Sequence, residues 1–387
     1  MKNNVVILGS TGSIGVNTLE VISIHPEKFN VFALVANSSI EKLSNQCLKF
    51  KPKYAHVKKE DDAHKLQSIL KKNNINTQVV FDSEDLNELI ASNLVDTVVC
   101  AISGSAGLES SINAVKSGKR ILLANKESLV MCGSLFMELA KKSGASILPV
   151  DSEHNALHQC FSNNKKKFIK NVILTASGGP FLNKDIKEFD GFTIEQALDH
   201  PTWNMGKKIS IDSATMMNKG LEIIEAMYLF NLKSSQIDAV IHPQSIIHSM
   251  VCYKDGSIIS QLSKNDMKAP IAYCLGWPER IKSGIDFIDL TKQPPLTFKE
   301  ISKELFPCFY LAREVAKEGN SLPTAMNAAN EVAVSAFLEK SIKFNDIYRV
   351  IAKTLNLHDK SKIMSIEDVL EIDKVSRASA KEILKNI

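Results

Sequence analysis

Over residues 1–150, short β-branched runs alternate with amphipathic stretches, and no other feature of the chain restricts its fold so tightly. Residues 5–8, 31–35, 79–81, 95–100, 121–124 and 147–150 read as strands. Residues 18–24, 40–50, 62–72, 108–118 and 134–143 read as helices between them. Parallel strands need a long crossover, and an amphipathic helix provides one while burying its apolar stripe on the sheet. The alternation therefore predicts a Rossmann-like α/β region, a parallel sheet covered on both faces.

A chain of 387 residues exceeds one ordinary core, so two or three domains are expected. From 151 to about 278 the texture changes to Ser/Thr/Asn/Gly/Pro clusters with strand-like runs at 237–241, 249–253 and 257–261, the last two joined by a Lys254-Asp-Gly turn. An α+β region with loop-borne function is expected there. Residues 279–303, with Pro294-Pro295, read as a linker, and 304–387 as an α-helical domain. In that last part Ala329, Val332, Ala333, Ala336 and Phe337 follow the spacing of one buried helix face. Ser365-x-x-Asp368 marks a further helix start.

Composition excludes several function classes. With 44% apolar and 23% charged residues, and no apolar run long enough to span a bilayer, the chain reads as a globular protein without a membrane partner. Its net charge of +4 is spread along the sequence. The Lys165-Lys166-Lys167 run has no interleaved aromatics and reads as a solvated loop, so no nucleic-acid partner is expected. The seven cysteines form an odd set without a Cys-x-x-Cys pair, which points to reduced thiols and not to a disulfide frame or zinc site. A strand-like segment begins at Val5, leaving no room for a leader, and a cytoplasmic location is expected.

Gly9-Ser-Thr-Gly12-Ser-Ile-Gly15 lies between the first strand and the first helix. Glycines there let the backbone turn tightly and approach a pyrophosphate, which the free amides of a helix N-terminus attract. An acid at the end of the second strand would hold the 2′-hydroxyl of NAD. The chain reads Val35-Ala-Asn37-Ser38-Ser39 instead, without acid or base, which favours NADP(H).

Two polar constellations stand downstream. Asp151 and Glu153 follow a strand end, two residues apart, so both can point to one side. With Glu222 they would form an all-oxygen set suited to Mg²⁺ or Mn²⁺; as plain helix caps they would bind nothing. Ser177, Ser213, Asn218 and Lys219 are short donors of the kind that hold phosphate oxygens. Lys126, at another strand end, can neutralise a substrate anion or serve as a solvated loop charge. Trp203, one of two tryptophans, sits in a Pro/Gly-flanked loop as either a lid or a buried anchor. His154 and His158 read as packing or surface residues.

Taken together these motifs resemble the 1-deoxy-D-xylulose 5-phosphate reductoisomerase family, NADPH-dependent enzymes of the non-mevalonate isoprenoid pathway. The resemblance rests on Gly-Ser-Thr-Gly-Ser-Ile-Gly (9–15), Leu-Leu-Ala-Asn-Lys-Glu-Ser-Leu (122–129), Pro-Val-Asp-Ser-Glu-His-Asn (149–155) and Ser-Gly-Gly-Pro-Phe (177–181). It continues through His-Pro-x-Trp-x-Met-Gly (200–206), Asp-Ser-Ala-Thr-Met-Met-Asn-Lys-Gly-Leu-Glu (212–222), His-Pro-Gln-Ser (242–245) and Asn-Ala-Ala-Asn-Glu (327–331). It implies a divalent cation on Asp151, Glu153 and Glu222, with Co²⁺ as an alternative to Mg²⁺ or Mn²⁺. Lys126, Glu153 and Glu222 would be catalytic, and Ser152 would touch the substrate with them. Ser177, Ser213, Asn218 and Lys219 would bind its phosphate, with His200 close by and Trp203 on a closing flap. NADPH would contact Gly9, Thr11, Gly12, Ser13, Ile14, Asn37, Ser38, Asn125, Glu127 and the Gly206 region. Residues 1–150 would then bind NADPH, and 151–278 would carry catalysis and the contacts of a homodimer. One departure stands out: the family often carries Gly-Lys-Asn after the second strand, where this chain has Asn37-Ser38-Ser39.

Overall fold

The structure, a computed structural model, describes residues 2–161 and 166–387; Lys165 of the lysine run lies outside the described residues. In chain order the strands are β1 (Asn3–Leu8), β2 (Phe29–Val35), β3 (Tyr54–His56), β4 (Gln78–Val80), β5 (Thr97–Cys100), β6 (Arg120–Leu123), β7 (Ser146–Pro149), β8 (Ile169–Ala176), β9 (Ile237–Ile241), β10 (Ile247–Tyr253) and β11 (Ile258–Leu262). The helices are α1 (Ser13–Ile24), α2 (Ile40–Phe50), α3 (Glu60–Lys72), α4 (Ser83–Ala91), α5 (Leu108–Lys116), α6 (Lys126–Ser143), α7 (Ser152–Cys160) and α8 (Ile194–Leu198). They continue with α9 (Lys207–Ala214), α10 (Met217–Phe230), α11 (Lys268–Gly276), α12 (Pro307–Glu318), α13 (Leu322–Leu338), α14 (Asp346–Leu357) and α15 (Ile366–Leu384).

Two compact units emerge. The first comprises Met1–Ser128, Glu138–Ser152 and Asp266–Asp286. Its sheet has the order β4-β3-β2-β1-β5-β6-β7, and its strand pairs are parallel, as the alternation predicted. Val5 to Leu8 and Thr97 to Cys100 are buried throughout, the continuous burial expected of central strands covered on both faces. The segment 266–286, expected with the middle and linker regions, joins this unit. Tyr273, Cys274 and Leu275 of the almost uniformly apolar α11 enter its core with Leu19 and Ile22 of α1.

The second unit comprises Leu129–Met137, Glu153–Asn265 and Phe287–Ile387. It holds a mixed sheet, order β11-β10-β8-β9, in which only β8 and β9 run parallel. Around it lie α7 to α10 and the helical C-terminal region. Phe181, Phe189, Phe192 and Phe344 cluster in this core, with Phe181 stacked on Phe192 at 3.7 Å between centroids. Ser365 and Asp368 form a reciprocal capping box at the start of α15, as their spacing predicted. Among the described residues no helix is long and apolar enough to cross a membrane.

Candidate active site

The glycine turn closes where β1 feeds α1. Gly9 has φ +83°, and a Cβ there would lie 2.5 Å from the Ala101 carbonyl oxygen, so only glycine fits between the turn and β5's end. A Cβ on Gly15 would meet the Gly9 and Ser10 backbone at 2.4–2.5 Å. Gly12, Ser13 and Thr11 stay at least partly exposed, and Gly12 caps α1 with no side-chain bond to its amides. The first-turn amides, which have no intrahelical acceptor, therefore face an uncovered approach. The buried Ser10 hydroxyl has no hydrogen-bond partner among the described residues, and the Gln46 amide donates to the Ser10 carbonyl at 2.8 Å. These features fit a dinucleotide's pyrophosphate. Asn37 and Ser38 are exposed beyond the end of β2.

Further along the same sheet edge, Asn125 caps α6. Its side-chain oxygen accepts from the Ser128 amide at 3.0 Å, and its amide donates to the carbonyls of Ile102 and Gly104 at 2.6 and 2.9 Å. That amide also reaches Glu127 at 3.2 Å. Asn125 thus fixes the loop after β5 and presents the next residue, Lys126, whose ammonium lies 2.8 Å from Asp151. Both side chains are largely buried, so each charge depends on the other. Ser152 begins α7 immediately afterwards.

In the second unit, Glu153 lies on the first turn of α7, and α10 carries the other half of the cluster. The Glu153 and Glu222 carboxylates come within 4.8 Å of one another. Lys219 donates to Glu153 at 2.9 Å and also to Glu222, and Asn218 donates to Glu222. Helical spacing explains this convergence: 218, 219 and 222 are three and four apart and share a face. Behind them, His154 Nε2 lies 2.8 Å from the Glu222 carbonyl and Nδ1 lies 3.2 Å from Glu225, all fully buried. His154, expected as a packing or surface residue, is buried and also ties α7 to the backbone of Glu222. Sequence reading missed Glu225; its position one helical turn beyond Glu222 was the available signal.

Glu153 and Glu222 offer carboxylate oxygen without competing sulfur, and a Lys219 ammonium already lies against them. A buried carboxylate, Glu222, facing a half-buried one, Glu153, gives an oxygen pair that fits a hard divalent ion.

The phosphate-type donors belong to two loops and one helix. Ser177 follows β8, and Gly178 and Gly179 take φ of +86° and +67°. A Cβ on Gly179 would stand 2.8 Å from the Ser213 carbonyl oxygen, so the glycine allows the Ser177 loop to lie directly on α9. Ser177 accepts from the Gly179 amide at 3.1 Å and meets His200 Nε2 at 2.9 Å. His200 Nδ1 accepts from the amides of Thr202 and Trp203 at 3.2 and 3.0 Å. An accepting Nδ1 requires a neutral ring that donates from Nε2, and burial pushes the pKa of His200 down to about 4. Trp203 is half-buried, with its ring 6.2 Å from that of His248. Gly206 caps α9 and is exposed. Met216, left-handed at φ 59°, separates α9 from α10 and sets the angle between Ser213 and the Asn218-Lys219 pair.

α9 is braced from the C-terminal helices. Asp212 accepts from the Asn330 amide of α13 at 2.8 Å and from Lys208 at 2.8 Å. Glu331 in turn accepts from Arg377 of α15, which also binds Asp373. The Asn-Ala-Ala-Asn-Glu segment therefore serves the site through Asp212.

Three comparisons bear on this geometry. Family models for 1-deoxy-D-xylulose 5-phosphate reductoisomerase match residues 5–133, its C-terminal domain matches 147–230, and the DXP reductoisomerase C-terminal domain matches 262–379. The 1-deoxy-D-xylulose 5-phosphate reductoisomerase of Shewanella frigidimarina is 48% identical over 99% of both chains. A crystal structure of DOX-P reductoisomerase in complex with NADPH, fosmidomycin and magnesium is 44% identical, covers 99% of this chain and 98% of its own, and superposes with a TM-score of 0.93. The Zymomonas mobilis 1-deoxy-D-xylulose 5-phosphate reductoisomerase in complex with NADPH is 40% identical over 100% of both chains, also with a TM-score of 0.93. The chain belongs to this family, as its motifs predicted.

Proposed function

We propose that this member of the 1-deoxy-D-xylulose 5-phosphate reductoisomerase family converts 1-deoxy-D-xylulose 5-phosphate into 2-C-methyl-D-erythritol 4-phosphate, consuming NADPH. It is an NADPH-dependent oxidoreductase that uses Mg²⁺ or Mn²⁺, with Co²⁺ as an alternative. The carrying observation is the α10 cluster, where Glu153 and Glu222 close on the Lys219 ammonium and Asn218, the other phosphate-type donor of the helix, donates to Glu222. The ketose skeleton rearranges by carbon–carbon cleavage and re-formation to a branched aldehyde, which is then reduced.

When bound, the divalent cation supplies Lewis acidity and a template for the substrate oxygens, and NADPH supplies the hydride. Asp151, Glu153 and Glu222 hold the cation in this reading. Ser177, Ser213, Asn218 and Lys219 grip the phosphate, and binding energy from that remote anchor orients the reacting carbons. His200, neutral, donates to Ser177 and fixes its hydroxyl, while its Nδ1 holds the backbone that carries Trp203 over the substrate. Ser152 positions the substrate hydroxyls, and Lys126 and Glu153 are placed to move protons. Gly9, Thr11, Gly12, Ser13 and Ile14 take the NADPH pyrophosphate, with Asn37, Ser38, Asn125, Glu127 and Gly206 as further contacts.

Residues 1–150 carry NADPH, 151–278 catalysis and dimerisation, 279–303 the link, and 304–387 the brace beneath α9. A homodimer formed through the mixed sheet is supported by β11, an edge strand with Ile258 and Ile259 exposed. Light scattering showing a monomer would remove the dimer. Cytoplasmic residence is supported by the seven cysteines, every one of them buried. The function is tested by mixing purified protein, 1-deoxy-D-xylulose 5-phosphate, Mg²⁺ and NADPH. NADPH should be oxidised, and a chelator should stop it; no turnover under these conditions refutes the assignment.

A further inference from the structure

We propose that Lys58 and Lys59, in the turn between β3 and α3, supply the positive charge that meets the 2′-phosphate of NADPH in this chain and set its preference over NADH. The inference rests on the NADPH reading above.

In dinucleotide-binding sheets the ribose 2′ position lies beyond the end of the second strand, where an acid selects NAD and a basic group accommodates the 2′-phosphate. Asn37, Ser38 and Ser39 occupy that position and carry no charge. Hydroxyl and amide donors bind a phosphate oxygen, but they bind a ribose hydroxyl nearly as well. Alone they leave the phosphate's charge uncompensated and discriminate weakly.

The next strand supplies what this segment lacks. β3 runs parallel to β2 with Val35 in register with His56. Beyond the strands the pairing continues: the Ala36 amide donates to the His56 carbonyl at 3.0 Å, and the Lys58 amide donates to the Asn37 carbonyl at 3.4 Å. Lys58 is thereby pinned beside Asn37, and Lys59 follows as the residue capping α3. Both lysines are exposed, as are Asn37, Ser38 and Ser39. Among the described residues neither lysine has an ion-pair partner. The acids that open α3 are Glu60, 3.7 Å from His64, exposed Asp61, and Asp62, 3.8 Å from Lys65. Across the edge, α2 opens with one acid and one base, Glu41 and Lys42, and so adds no net charge. Lys58 and Lys59 are thus uncommitted cations held by the backbone beside Asn37, where the 2′-phosphate must be read.

The test needs neither substrate nor metal. Lys58→Gln, Lys59→Gln and the double variant are titrated with NADPH and with NADH by fluorescence, at low and high salt. An exposed charge-assisted contact to phosphate sits at the low end of its range, so each lysine should contribute about tenfold to NADPH affinity. The double variant should lose about 10- to 100-fold for NADPH, show a shallower salt dependence and bind NADH as before. Adding Ser38→Lys to the double variant should restore NADPH binding by returning charge to the end of β2. Unchanged NADPH affinity in the double variant, or equal losses for both cofactors, overturns the assignment of the lysines. Wild-type protein that binds neither dinucleotide would overturn the NADPH reading itself, and this inference with it.

Discussion

Asn330→Ala tests whether the C-terminal helices hold the phosphate-binding helix in place. The Asn330 amide donates at 2.8 Å to Asp212, and both residues are fully buried although 118 positions separate them. Removing the amide leaves the Asp212 carboxylate with Lys208, whose side chain is 24% exposed. A hydrogen bond to a charged group contributes about 1.5–3 kcal/mol. The expected loss is thus about 2 kcal/mol, which for a unit of this size lowers the melting temperature by roughly 4–8 °C. Because Asp212 neighbours Ser213 on α9, KM for 1-deoxy-D-xylulose 5-phosphate should rise several-fold while NADPH binding is unchanged. Asn330→Asp sharpens the test by setting two carboxylates side by side in the core. One of them must keep a proton, so the folded state binds more protons than the unfolded state and its stability falls as pH rises. Calorimetry across pH, paired with steady-state kinetics, reads all of this. An Asn330→Ala variant that melts with wild type and keeps its KM would refute the bracing role.

Other outcomes follow from the same geometry. Glu222→Gln should abolish turnover while NADPH titration stays normal; retained turnover would remove Glu222 from the cation site. Gly179→Ala combines a φ of +67° with a Cβ placed 2.8 Å from the Ser213 carbonyl oxygen, and should cost about 1–2 kcal/mol and weaken phosphate binding; equal inhibition by inorganic phosphate in both proteins would contradict it. His200, with a pKa pushed down to about 4 by burial, takes its proton in the unfolded chain first. Its contribution to stability is therefore lost as pH falls from about 6.5 toward 4, and a His200→Asn variant should lose that part of the acid sensitivity.

Much of this was legible in the sequence because the periodic and glycine-bearing segments carry local signals. The glycine turn announced itself, and α2 runs over the predicted residues 40–50. α1 and α6 begin earlier than their apolar spacing indicated, at Ser13 and Lys126. Their first turns are polar because those turns carry the site, and apolar periodicity cannot register them. β3 escaped notice because Tyr54-Ala-His56 carries no β-branched residue, whereas the equally short β4 has Val79 and Val80. β8 escaped it because Ile169–Ala176 mixes buried and half-buried positions without clean alternation. The 211–222 segment showed its functional groups but not its shape, two helices hinged at Met216. Contacts such as Asn330 with Asp212 and His154 with Glu225 join distant parts of the chain, and no local pattern foretells them.

The central claim is that one site both rearranges and reduces a phosphorylated ketose. The most direct test incubates the purified protein with isotope-labelled 1-deoxy-D-xylulose 5-phosphate, NADPH and Mg²⁺ and reads the product's carbon skeleton by NMR. A branched 2-C-methyl polyol phosphate, formed in step with NADPH loss, is the predicted result. An unbranched alcohol with the substrate's carbon order, as a simple dehydrogenase would leave, would contradict the account.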